Sequence, residues 1–175
     1  MKNKLTVITI IIISVLVTVR DLRADDFAFS AAPWNFSGSI EQGQYAGAGI
    51  VIGGDSYFEL EGVLISEITP APANTVLGGV LIGISLLGDR NPGYFNVVLS
   101  GGYLHGISGL NSGGEGFDFS NPEHNDYLIL RISPLAIGNS YYGMRERIFS
   151  AGIYYDIQRG KTGFVWSWLI LDKFF

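Results

Sequence analysis

The last stretch of the chain reads Gly163-Phe164-Val165-Trp166-Ser167-Trp168-Leu169-Ile170-Leu171-Asp172-Lys173-Phe174-Phe175. It is apolar and aromatic, and it contains no proline that would interrupt a β-strand. Leu169, Leu171 and Phe175 occupy alternate positions, and residues two apart point to the same face of a strand. The ends of soluble domains are usually frayed in water. This pattern predicts instead an ordered strand that runs to Phe175.

The other end of the chain predicts a secretory signal peptide. A basic head, Met1-Lys2-Asn3-Lys4, precedes about fifteen uncharged and mostly aliphatic residues at 5–19. The alternative is a transmembrane anchor, but a spanning helix needs about 20 apolar residues. We therefore expect a signal peptide over residues 1–24, with cleavage after Ala24, and one mature domain over residues 25–175.

Composition excludes several classes of function. The chain has no cysteine, which excludes a lipoprotein and a disulfide-stapled domain. Residues 1–24 hold four of the eleven basic residues and one of the sixteen acidic ones, so residues 25–175 carry a net charge of about −8. That charge argues against a nucleic-acid partner. Abundant glycine and scarce charge suit an all-β barrel.

Turn-forming residues divide the mature chain into eight predicted strands. Each is about 10–16 residues long, whereas ordinary globular strands average about 5–6. A tilted strand needs about 9–11 residues to cross a bilayer, and bacterial single-chain barrels have an even number of strands. The predicted strands are 26–36, 44–53, 57–68, 75–87, 94–106, 126–137, 142–157 and 162–174.

Alternating side chains support this division. At 57–68, Phe58, Leu60 and Leu64 share one face, and the three glutamates of the strand share the other. Aromatic residues cluster near both ends of the predicted strands, with smaller residues between them, as expected of a barrel with lipid outside. The alternative is a soluble barrel whose aromatic residues pack a core.

Connection lengths predict an orientation. The turns at 54–56, 88–93 and 138–141 are short, whereas the connection at 107–125 is the longest. Long loops face outward in membrane barrels. We expect both mature ends in the periplasm and the 107–125 loop at the cell surface.

By strand number, size and terminal aromatic residue, the chain resembles the small eight-stranded bacterial outer-membrane proteins, the group of the OmpA transmembrane domain, OmpX and OmpW. The resemblance covers the whole mature chain and rests on overall pattern. It implies a multi-pass, porin-like barrel surrounded by outer-membrane lipid. It also implies that the strand ending in Phe175 is read by the barrel-assembly machinery. We expect no enzymatic activity, no cofactor and no metal.

Four charged residues are predicted to point into the barrel: Glu59, Glu61, Glu67 and Arg131. An interior of eight strands is just wide enough to be filled by side chains. The acids would then pair with Arg131, and with Arg145 or Arg147, as a polar plug. The alternative is a narrow channel lined by these charges, or by inward apolar residues such as Val63, Ile65 and Leu77, for small or hydrophobic solutes.

The long loop and the two histidines are further candidates. Phe117, Asp118 and Phe119 would contact a host or cell-surface ligand, because exposed long loops often carry function. His105 precedes Ser108 near a strand end, but no G-x-S-x-G motif is present. His124 is far from it in sequence, so neither a hydrolase nor a metal site is expected. The sequence predicts a structural or surface-interaction protein, with the narrow channel as the alternative.

Overall fold

The structure is a computed structural model that describes residues 27–38, 42–53, 58–69, 75–87, 95–110, 117–118, 126–139 and 144–175. The signal peptide predicted at 1–24 lies outside these ranges, as do most of the three short turns. All described secondary structure is β. The strands are β1 (Phe27–Gly38), β2 (Gln42–Ile52), β3 (Phe58–Thr69), β4 (Val76–Ser85), β5 (Phe95–Leu110), β6 (Phe117–Asp118), β7 (Asp126–Asn139), β8 (Met144–Asp156) and β9 (Lys161–Phe174).

The eight long strands form a closed antiparallel barrel. Each pairs with the next long strand along the chain, and β1 pairs with β9 to close the circle. Closure removes the exposed strand edges that an open sheet would present. The prediction of an all-β, eight-stranded antiparallel barrel is confirmed, and the closing strand does run to the end of the chain, where Phe175 N donates to Phe27 O.

The structure differs from the prediction in the long connection. Residues 107–110 belong to β5, which continues past the predicted strand end. The short strand β6 then pairs with the extension, Gly109 with Asp118 and Leu110 with Phe117. This hairpin lies at the barrel end opposite the start of β1 and the end of β9. β5 begins beside Ile137 of β7, near the end of β9, and extends past Asp126 at the other end of the barrel.

Side chains alternate between the interior and the outer surface along each strand. Glu59, Glu61, Val63 and Ile65 of β3 are buried, whereas Phe58 and Leu64 are more than half exposed. A period of two follows from the pleat of the strand. The interior is therefore the core of this molecule, and the outer wall is largely apolar.

Three neighbouring strands change face at one level of the barrel. On β8, Arg147 and Ser150 both point inward, because Ile148 and Phe149 between them are both exposed. Phe149 has a φ of 54°, a value that residues other than glycine rarely adopt. The same shift occurs on β9, where Ser167 and then Ile170 are buried.

β7 is the third strand that changes face at this level. Ser133 and then Ala136 are buried, and the proline between them is exposed. An extra residue in a strand changes the face of everything that follows. Without this change of face, a strand with Ser150 inside would place Arg145 and Arg147 on the apolar outer wall.

The backbone at Phe149 can be tested with two variants that lose the same ring. Glycine adopts positive φ freely, whereas proline holds φ near about −65°. We expect Phe149→Gly to fold and Phe149→Pro to fail to fold, because proline cannot adopt the positive φ at which β8 changes face. The measurement is folding yield in detergent, read from heat-modifiable gel mobility. Equal yields would contradict a requirement for positive φ at this position.

Candidate functional site

Six charged side chains meet inside the barrel, and they form the candidate site. We call them the charge cluster. Each is between 0% and 4% exposed. They come from four strands, β3, β7, β8 and β9, so the cluster spans the lumen. Its members are Glu59, Glu61, Arg131, Arg145, Arg147 and Asp172.

Arg147 is the centre of the charge cluster, because it contacts all three acids. Its Nη2 donates to Asp172 Oδ1 at 2.9 Å. Its Nη1 donates to Glu61 Oε2 at 3.2 Å and lies 3.7 Å from Glu59 Oε1. Nη2 also lies 3.4 Å from the hydroxyl of Ser30 on β1. A single guanidinium therefore connects β8 to β1, β3 and β9.

The two other arginines complete the network at its two sides. Arg145 donates from Nε to Asp172 Oδ2 at 2.7 Å and from Nη1 to Glu59 Oε2 at 2.8 Å. Arg131 donates from Nη2 to Glu61 Oε2 at 2.8 Å and from Nε to the Ser100 hydroxyl at 3.1 Å. Every carboxylate thus faces two arginines.

Charge balance decides whether such a cluster is tolerated. Three guanidinium groups and three carboxylates sum to zero, which offsets the large desolvation cost of each buried charge. Four of their polar atoms have no hydrogen-bond partner among the described residues: Glu59 Oε1, Arg131 Nη1, Arg145 Nη2 and Arg147 Nε. The network is therefore held by charge pairing more than by complete hydrogen bonding.

An aromatic layer lies beside the charge cluster, toward the β8–β9 turn. Phe36 is at its centre and contacts Tyr45 at 5.1 Å, Tyr154 at 5.4 Å and Trp34 at 6.4 Å between ring centroids. Tyr127 packs edge-on against Tyr154 at 5.6 Å. The Arg131 guanidinium lies 4.7 Å from the centre of the Trp34 ring, so the two layers are in contact.

Glycines make room for these large side chains inside a narrow barrel. A Cβ on Gly47 would lie 2.5 Å from the indole nitrogen of Trp34, and one on Gly163 would lie 2.4 Å from the ring of Tyr154. A Cβ on Gly83 would lie 2.5 Å from Glu59 Cγ. The glycine content of the strands therefore follows partly from the volume of the aromatic layer and the charge cluster.

Three of the four predicted interior residues belong to the charge cluster, and Glu67 does not. Glu59, Glu61 and Arg131 are brought together, and both Arg145 and Arg147 join them. Glu67 is only half-buried and lies six residues beyond Glu61, about 20 Å along the strand. It is therefore outside the charge cluster.

Asp172 is the member that sequence reasoning missed. It lies in the last strand, next to Lys173, in a stretch whose alternation is broken by the shift before Ile170. The signal that could have found it is charge balance. Once Glu67 is set aside, three interior arginines face only two acids and need a third, and no other carboxylate occurs in β9.

Two of the three predicted loop contacts lie in the β5–β6 hairpin. Phe117 and Asp118 form β6, and Phe119 lies outside the described residues. Their proposed role as ligand contacts remains a prediction.

His105 belongs to a separate polar group at the same end. Its Nδ1 lies 2.6 Å from Asp126 Oδ1, which also accepts a hydrogen bond from the Tyr103 hydroxyl. Gln158 Nε2 donates to the other oxygen of Asp126. The described residues contain no group of three His, Cys, Asp or Glu side chains that could hold a metal ion. His124 lies outside the described residues.

No protein-family model, no curated protein and no solved structure matches the chain. In the described part of the chain, no helix is long and apolar enough to span a membrane.

The role of Asp172 can be tested against its neighbour. Asp172→Asn leaves Arg145 and Arg147 buried with one carboxylate fewer. We expect the free energy of unfolding to fall by about 3–5 kcal/mol, the usual cost of breaking a buried pair. Lys173→Gln, one residue further and exposed, is the control. The measurement is urea unfolding in lipid vesicles, followed by tryptophan fluorescence. A loss below about 1 kcal/mol, typical of surface pairs, would show that the charge cluster does not hold the barrel together.

Proposed function

We propose that the chain is an integral outer-membrane β-barrel of a bacterium, with a structural or surface-interaction role carried by its outer loops. The observation that carries the proposal is the inversion of polarity across the barrel wall. The six members of the charge cluster are inside, while twenty-two large apolar side chains of the described residues are exposed. Soluble monomers rarely expose a contiguous apolar patch larger than a few hundred Å². A soluble barrel would place these two sets the other way round.

The height of the apolar band fits a bilayer. On β9, exposed charged residues stand at the two ends, Lys161 and Lys173, and the outward residues between them include Phe164 and Trp168. Twelve residues span about 40 Å along a strand, or about 30 Å along the axis of a barrel whose strands tilt by about 40°. An outer-membrane barrel carries an apolar band of about 25 Å.

The two ends of the barrel differ in a way that supports the orientation. The start of β1 and the end of β9 lie at the same end of the barrel, where Ala28 pairs with Phe174. The opposite end carries the β5–β6 hairpin, formed where β5, the longest strand, extends to Leu110. In the proposed orientation this hairpin faces outward and the chain ends face the periplasm. Surface contacts would then involve the connection that contains Phe117, Asp118 and Phe119.

The filled interior favours a structural role over the alternative, a narrow channel for small or hydrophobic solutes. A solute would have to pass both the charge cluster and the aromatic layer. The inward apolar residues named for a hydrophobic path are 0–8% exposed and packed as core: Val63, Ile65, Leu77, Leu81 and Val98. An eight-stranded barrel leaves little lumen once such side chains occupy it.

The location can be tested by cell fractionation. We expect the protein in the outer-membrane fraction with heat-modifiable mobility on gels, because a closed barrel in detergent resists unfolding. Protease added to intact cells should cut between residues 110 and 126. A compact soluble species in the periplasm would overturn the proposal, and failure to cut where a known surface loop is cut would overturn the orientation.

The channel alternative can be tested in planar bilayers. We expect the purified barrel to show no steady conductance, because side chains fill the described lumen. The control variants are Glu61→Gln and Arg131→Ala, inside the charge cluster, and Lys173→Gln, outside it. A steady conductance that the first two variants alter and the third does not would replace the structural role with a channel.

A further inference from the structure

The cations of this chain are unevenly distributed over its outer surface. The described residues of β1 to β5 contain no lysine or arginine. Three arginines lie inside the charge cluster. Of the exposed cations in the described ranges, Arg159 and Lys161 stand together at the β8–β9 turn, and Lys173 stands at the opposite end of β9. Two of the three exposed cations in the described ranges therefore lie at this one turn.

The β8–β9 turn is well ordered by hydrogen bonds. Asp156, which is 1% exposed, accepts from the Arg159 backbone N–H at 2.8 Å, and Gly160 donates its N–H to Asp156 O at 2.9 Å. Gly160 has a φ of 63°, which suits glycine. Ile157 N donates to Asp126 O at 2.9 Å, which fastens the turn to β7. The two cations are thus presented from a fixed backbone.

The two neighbouring acids, Asp126 and Asp156, are less exposed than the two cations. Asp156 is buried, and Arg159 Nη1 lies 3.4 Å from its Oδ2 while the Arg159 side chain stays 47% exposed. Asp126 accepts hydrogen bonds from Tyr103, His105 and Gln158. Lys161 is exposed beside these groups. A ligand that approaches from outside therefore reaches Arg159 and Lys161 before the two carboxylates.

An apolar groove lies on the outer wall below this turn. It has a volume of about 390 Å³ and is lined by Phe149, Ala151, Ile153, Phe164 and Trp166, among others. The small side chain of Ala151 forms the floor of the groove, and Ala151 pairs with Trp166 across β8 and β9. We call it the β8–β9 groove.

The distance between the basic turn and the groove matches one lipid leaflet. Lys161 and Trp166 are five residues apart, about 17 Å along the strand and about 13 Å along the membrane normal for a tilt of about 40°. Half of a hydrocarbon core is about 15 Å thick. The groove therefore lies at the depth of the acyl chains of a lipid whose headgroup is level with the turn.

A second groove on the opposite half provides the comparison. It has a volume of about 430 Å³ and is lined by Phe29, Ala48, Ile50, Gly62 and Leu64, among others. Its strands, β1 to β4, carry no lysine or arginine among their described residues. Of these two grooves, the β8–β9 groove alone combines an acyl-sized apolar surface with cations at headgroup level.

We infer that the β8–β9 hairpin binds a membrane lipid whose phosphate headgroup carries a net negative charge, with that phosphate on Arg159 and Lys161 and an acyl chain in the β8–β9 groove. This inference rests on the proposed membrane location. A lipid supplies both parts of the ligand at the observed spacing, whereas free phosphate would leave the groove empty. A second copy of the chain would bring two basic turns together.

The test uses tryptophan quenching by brominated lipids. The mature protein is reconstituted into phosphatidylcholine vesicles that contain equal fractions of acyl-brominated phosphatidylglycerol or acyl-brominated phosphatidylcholine. Trp166 lines the groove, and the ring centroid of Trp168 lies 5.0 Å from that of Trp166, so both tryptophans report on the occupant of the groove. Trp34 is enclosed by the barrel. Each exposed cation favours an anionic lipid by about fivefold. We therefore expect a preference of at least about fivefold for the anionic quencher.

Matched variants assign that preference to the turn and the groove. Arg159→Gln with Lys161→Gln should remove the preference for the anionic lipid, while Lys173→Gln, on the same strand at the other end, should keep it. Ala151→Leu fills the groove and should reduce quenching by the anionic lipid. Ala48→Leu makes the same change in the second groove and should not. Excess inorganic phosphate should leave the quenching unchanged.

The outcomes separate this inference from the membrane location. Equal quenching by the two lipids, or a preference that survives Arg159→Gln with Lys161→Gln, would overturn the lipid site and leave the membrane barrel standing. Loss of quenching by both lipids together with cross-linked dimers would place a second copy on this face and overturn the lipid site. A protein that does not insert into vesicles would overturn both proposals.

Discussion

A guanidinium group cannot stay buried without a carboxylate, and this barrel depends on that constraint. Three arginines and three acids fill the lumen at one level, and Arg147 alone reaches all three acids. Removing any member would leave an uncompensated charge in a wall whose outer face is apolar. The pairs also join strands that are not neighbours in the sheet, β3 with β7 and β3 with β8. The charge cluster therefore fixes the cross-section that backbone pairing alone leaves open.

The change of face at Phe149 makes the charge cluster possible. A strict period of two along β8 would put either both arginines or Ser150 and Tyr154 on the outer wall. The shift occurs on three adjacent strands, where the buried serines Ser133, Ser150 and Ser167 form a row. The hydroxyls of Ser133 and Ser150 bond to each other. The three serine side chains at the shift are thus buried inside the barrel, away from the apolar wall.

A filled interior leaves the outer wall and the loop end as the surfaces available for interaction. These two surfaces are chemically different. The wall is apolar, apart from charged groups near its two ends, while the hairpin end combines the basic β8–β9 turn with the acidic, glycine-rich connection after β5. The proposed lipid site uses the wall together with the β8–β9 turn, and the proposed ligand contacts use the connection after β5. The two roles can therefore coexist in one barrel without an opening through it.

The sequence by itself determined the barrel, because strand length, alternation and turn residues are local properties. It also determined that Glu59, Glu61 and Arg131 point inward, since each lies on the polar face of a regularly alternating segment. Tertiary structure decided which charges meet. Asp172 and Arg147 are 25 residues apart in the chain and become partners only when β8 and β9 pair across the shift. The shift depends on the packing of three strands at one level, where a single positive φ is stabilised by the surrounding barrel. No local pattern in the sequence specifies that position.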